Sequence, residues 1–69
     1  MRVKDIIIGA FYRVKPNNTY GWIRPKEILK PKQAPNTHNY IIVKCEYVIN
    51  KSDTCGIIKY FKPTDIIKG

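Results

Sequence analysis

Apolar and polar residues alternate with a period of two along most of this chain, which is the pattern of strands lying against a core. Residues 39–49 show it best, with Ile41, Val43, Cys45, Tyr47 and Ile49 on one face. The other face mixes Lys44 and Glu46 with Tyr40, Ile42 and Val48, so a half-covered strand is expected there. Residues 5–14 place Ile6, Ile8, Ala10, Tyr12 and Val14 together, opposite Asp5, Gly9 and Arg13. Ile7 and Phe11 interrupt this alternation, which predicts a strand bent at Gly9 or covered on both faces. Lys15-Pro16-Asn17-Asn18 is a turn by composition, and Thr19 to Arg24 reads as the next strand. Asn50-Lys51-Ser52-Asp53 is a second turn cluster, after which Cys55 to Phe61 returns as a fourth strand and Ile66-Ile67 as a short fifth.

Helical spacing is nowhere sustained. The best window, Pro25 to Lys30, opens with a favourable first-turn proline but meets Pro31 within two turns. It predicts one turn, of 3₁₀ type. Lys62-Pro63-Thr64-Asp65 predicts a tight turn or a second 3₁₀ turn, and residues 30–38, with Pro31, Pro35 and Asn36, form a polar loop. Closing such a set of strands on itself removes the exposed edges that threaten an apolar sheet.

An internal repeat supports this order. Trp22-Ile23-Arg24-Pro25-Lys26-Glu27-Ile28-Leu29-Lys30 aligns with Tyr60-Phe61-Lys62-Pro63-Thr64-Asp65-Ile66-Ile67-Lys68. Each copy runs aromatic, apolar, basic, Pro, any residue, acidic, Ile, aliphatic, Lys. In each, proline presets a turn, the acid can bond backbone N–H groups there, and two aliphatic residues re-enter the core. The repeated turn and the strand order resemble SH3-like small β-barrel domains. Gly21-Trp22-Ile23-Arg24-Pro25 is also similar to the Gly-Trp-aliphatic segment of bacterial SH3 domains. The resemblance covers two nine-residue segments and a strand order. It implies a mainly β protein: one domain over residues 1–69, a five-stranded SH3-like barrel with one or two 3₁₀ turns and a basic, Pro-containing loop at 30–38. It says nothing about a partner.

Composition narrows the function classes. Sixty-nine residues make one small domain, and eight aromatics can fill its core. Thirteen Lys and Arg against five Asp and Glu give a net charge of +8, a field that attracts polyanions. Ten of the thirteen are Lys, so part of this charge reflects composition rather than a binding face. The apolar run from Ile6 to Tyr12 ends at Arg13, far short of the roughly 18 residues of a membrane span, and carries no cleavage signal. A cytoplasmic protein with no membrane partner is expected.

The residues needed for catalysis are not assembled. Asp5, Glu27, Glu46, Asp53 and Asp65 are scattered, and His38 is the sole histidine. No catalytic residue, metal site, cofactor or small-molecule substrate is indicated, and the chain is expected not to be an enzyme. Cys45 and Cys55 flank the turn near Asn50 and admit a disulfide, half of a metal site or two separate thiols, though zinc needs about four ligands and His38 is the one histidine to add. If Ile58 and Tyr60 face the core with Val43 and Cys45, Cys55 falls on the opposite face, which favours separate thiols.

The positive signal lies in interleaved aromatic and basic residues: Phe11, Arg13, Tyr20, Trp22, Arg24, Tyr40, Lys44 and Lys59, with Lys30 and Lys32 in the loop. Exposed rings stack on unpaired bases while Lys and Arg meet phosphates. Phe11 is the best candidate for an exposed ring, followed by Trp22. The alternative is that these rings are core, since so small a domain needs aromatics for packing. The expected function is a non-catalytic nucleic-acid-binding accessory protein of low sequence specificity. The alternative is an SH3-like protein-interaction adaptor, of a phage or mobile element, taking an acidic or neutral protein in a groove between the long loop and the second hairpin.

Overall fold

A computed structural model of the chain describes residues 1–15 and 21–68. Among these residues it is mainly β, with five strands in two antiparallel sheets. Strand β1 (Arg13–Val14) pairs with β5 (Ile66–Ile67), while β2 (Trp22–Leu29), β3 (Ile42–Val48) and β4 (Ile57–Phe61) form a three-stranded sheet in that order. Two 3₁₀ turns, Val3–Asp5 and Pro63–Asp65, complete the elements, the second where the sequence predicts it. The turn expected at Lys15–Asn18 and the start of the second strand fall largely outside the described residues.

The sheets meet through a single bridge, Tyr12 opposite Ile23, in which each N–H donates to the other's carbonyl at 2.9 Å. No closed barrel forms among the described residues. Pro25 limits the joint. Its carbonyl accepts the Gly9 N–H at 3.0 Å, but proline has no N–H to return, so reciprocal pairing does not continue from the bridge toward Ala10.

Pro25 to Lys30, expected as a helical turn, is instead the second half of β2. Pro25 lies opposite Cys45 and Glu27 opposite Lys44, which makes Lys26 the extra residue of a bulge. The bulge shifts side-chain parity by one. Ile23 before it and Ile28 after it therefore both reach the core. The second copy of the repeat behaves differently. Phe61 is paired with Val43, one residue from the start of β3, so no strand remains opposite Pro63 and the chain turns into 3₁₀ geometry before β5.

The strand expected over residues 5–14 is reduced to the Tyr12 bridge and β1. Tyr12 is buried, and its hydroxyl needs partners there. The Ile7 N–H donates to that oxygen at 3.0 Å, and the Ala10 N–H donates to the Ile7 carbonyl at 3.2 Å. Gly9 turns the chain at φ +89°, a left-handed conformation that glycine adopts without penalty. Ile8 is left 52% exposed instead of joining the core face.

One core draws on both sheets: Ile6, Tyr12, Val14, Ile23, Val43, Cys45 and Ile66, with Ile28, Tyr47 and Phe61 packed against it. The loop from Lys30 to His38 is organised by one buried side chain. The Asn36 amide donates to the carbonyls of Leu29, Lys30 and Tyr40, and its oxygen accepts the His38 N–H. Register also corrects the second hairpin. Ile57, Lys59 and Phe61 share the face of Cys45, whereas Ile58 and Tyr60 point the other way and are exposed. Cys45 is fully buried, Cys55 is exposed, and both are free thiols.

Candidate functional site

The Tyr12–Ile23 bridge sets the geometry of the most distinctive surface cluster. Because Tyr12 and Ile23 point into the core, their neighbours Phe11, Arg13, Trp22 and Arg24 point outward, with Arg13 across from Trp22 and Phe11 across from Arg24. The Arg13 guanidinium lies over the Trp22 ring, 4.0 Å from its centroid, and that of Arg24 lies 5.5 Å from the centroid of Phe11. Lys51, from the turn between β3 and β4, closes the group: its ammonium is 4.0 Å from the Trp22 centroid and 5.7 Å from that of Phe11. Both rings are half-buried. Five residues from three segments thus make one aromatic and cationic surface at the joint of the two sheets.

Arg24 and Arg13 have different parts in it. The Arg24 Nε donates to Glu46 Oε1 at 3.0 Å and its Nη2 donates to the same oxygen, while Nη1 reaches the Asp53 carbonyl at 3.4 Å. The other Glu46 oxygen accepts the Gly56 N–H at 3.2 Å, and the Lys26 ammonium stands 4.0 Å from Oε1. Hydrogen bonding from Arg24 holds the Glu46 carboxyl below its usual range against the opposing effect of burial, and the Gly56 N–H adds to the lowering. Arg24 is therefore committed to Glu46. It lies beside the Phe11 ring, and Arg13 and Lys51 lie over Trp22.

Of the residues singled out from sequence, Phe11, Arg13, Trp22 and Arg24 come together. Tyr20 lies outside the described residues. Lys30 and Lys32 are exposed in the loop at the far end of β2, about 25 Å along the strand from Trp22. Lys44 is placed between Glu27 and Tyr60 in the middle of the sheet, and the Lys59 ammonium lies 5.0 Å from the Tyr47 centroid. Lys51 was legible only as part of a turn. Its approach to Trp22 depends on how the β3–β4 hairpin packs beside β2, which no local pattern encodes.

A concave region lies elsewhere, near the groove expected between the long loop and the second hairpin. Tyr40, Ile41, Lys62, Pro63 and Thr64 line a pocket of about 410 Å³. His38 stacks on Tyr40 with centroids 4.7 Å apart, and the Lys62 ammonium is 4.7 Å from the same ring. Among the described residues no group of three His, Cys, Asp or Glu is placed to hold a metal ion, and no helix is long and apolar enough to cross a membrane. Comparison with family models, with curated proteins and with solved structures gives no match.

Proposed function

We propose that this protein is a non-catalytic nucleic-acid-binding domain of low sequence specificity, working through Phe11, Arg13, Trp22 and Lys51, with Arg24 as a positioning residue. The observation that carries the reading is the stacking of Arg13 and Lys51 on Trp22 at the joint of the two sheets. A guanidinium held over an indole offers a base both a flat cation and an aromatic edge, while Lys51 adds charge for the adjoining phosphate. The strand order β5-β1-β2-β3-β4, linked by the Tyr12–Ile23 bridge, supports reading the fold as an SH3-like barrel left open between β4 and β5. The non-catalytic assignment agrees with the engagement of three carboxylates in structure: Asp5 with Arg2, Glu46 with Arg24, and Asp53 with the N–H groups of Ile49 and Asn50.

The charge itself is weaker support. Among the described residues Lys or Arg occurs on each of β1 to β4, and Lys68 follows β5, so net charge alone does not single out the cluster. The test therefore uses the cluster. Trp22 is the sole tryptophan, and its fluorescence reports the site directly. Titration with oligo(dT), oligo(U) and a mixed-sequence duplex should quench it, with the logarithm of affinity falling linearly with the logarithm of salt concentration. Arg13→Ala and Lys51→Ala should each reduce that slope by about 0.7 on a single strand, and Trp22→Ala, followed by anisotropy of a labelled oligonucleotide, should cost about 1–3 kcal/mol. Lys32→Ala should change little. Absence of binding at low salt for all three polymers, or binding indifferent to Arg13 and Lys51, would overturn the proposal. A response of Tyr40 and Lys62 to acidic or neutral peptides would favour the adaptor function instead.

A further inference from the structure

Strand β4 hydrogen-bonds to β3 on one side only, so among the described residues its other edge is unpaired. Edge strands are ordinarily protected by proline, a bulge, several charges or a covering segment. Between Ile57 and Phe61 there is no proline, the register with β3 is unbroken, and Lys59 is the single charge. Both faces of the strand are open as well. Ile58 and Tyr60 on one face are 42% and 45% exposed, and Ile57 on the other is 65% exposed. Five in-register residues with apolar side chains on both faces are suited to the addition of another strand.

Charge decides what that strand is. No acidic residue occurs between Asp53 and Asp65, whereas Lys59 and Lys62 lie within that stretch and Lys44 is the cross-strand neighbour of Tyr60. A second copy of this chain would bring +8 against +8, and the pairing centred on Lys59 would set two lysines directly opposite. An acidic strand meets the same lysines with favourable sign. We propose that β4 accepts, as an added strand, an extended segment of another protein in which acidic and apolar residues alternate. Its acids lie on the face of Lys59, and its apolar side chains cover Ile58 and Tyr60 on the opposite face. This surface is separate from the Trp22 cluster, and neither proposal depends on the other.

The probe is a capped octapeptide of alternating Glu and Val, compared with its Lys–Val counterpart, added to the isotope-labelled full chain. The Glu–Val peptide should slow amide exchange and shift resonances over residues 57–61. The Lys–Val peptide should bind at least tenfold more weakly. Lys59→Glu should reverse that preference, and Ile58→Lys should weaken both peptides, each variant keeping the wild-type spectrum away from β4. Three results would overturn the proposal: no change on β4 at millimolar peptide, changes confined to Phe11, Arg13 and Lys51, or protection of β4 that rises with protein concentration without peptide. The last would make β4 a self-association surface.

Discussion

Glu46 combines burial with charge, and its partners convert it into a pH-dependent tie between β2, β3 and the segment leading into β4. A carboxyl held below its ordinary value of 4.5 contributes stability above that value and loses it as pH falls through the folded-state value. Glu46→Gln should therefore unfold at lower urea concentration at pH 7 and lose less further stability than the wild type as pH falls below about 4.5. Equal acid sensitivity in the two proteins would show that Glu46 is not the group responsible. Cys45 behaves in the opposite sense. Burial pushes its thiol from 9.0 up to about 12, so stability is retained below 9 and falls as pH rises above it, where the unfolded chain ionises first. The two thiols should differ in reactivity: at pH 8 a disulfide reagent should titrate one, Cys55, in the folded protein and both in urea. Two rapidly reacting thiols in the native state would contradict the burial of Cys45.

At the scale of elements, β3 was the most readable because its alternation is long and Val43 and Cys45 are buried as the pattern requires. The strand is nonetheless shorter than residues 39–49, Ile49 is exposed, and Ile42, Glu46 and Val48 on the opposite face are buried as well. The two proline segments were not readable locally. Pro25 and Pro63 stand in nearly the same sequence context, yet one lies within a strand and the other starts a 3₁₀ turn. What separates them is the extent of β3, which continues opposite Pro25 and has ended before Pro63. A long-range partner decided the outcome, and local propensity did not. The segment before β1 failed for a related reason, since the needs of the buried Tyr12 hydroxyl outweighed an alternating pattern. The loop at 30–38 depends on Asn36, whose buried amide joins both ends of the loop. Asn36→Ala leaves several carbonyls without that donor and should cost about 2–4 kcal/mol in urea or thermal unfolding. Asn36→Asp, which exchanges donor for charge, should do no better. A loss under about 0.5 kcal/mol would mean that the loop closes by other contacts.

For the molecule as a whole, the β class, the five strands seen among the described residues and the outward placement of four candidate residues were legible, because alternation places residues on faces. The division into two sheets and the arrival of Lys51 were not, since both depend on how distant segments meet. The joint has a further consequence. Phe11 and Arg13 belong to one side of the Tyr12–Ile23 bridge, while Trp22, Arg24 and Lys51 belong to the other. Among the described residues the backbone contributes one reciprocal pair of hydrogen bonds there and the Gly9–Pro25 bond, and packed side chains of the shared core add to them. A ligand seated on this cluster would act as a clasp across the two halves. Part of its binding energy would then appear as resistance of the halves to coming apart, a mechanical effect at a distance from any group the ligand itself touches.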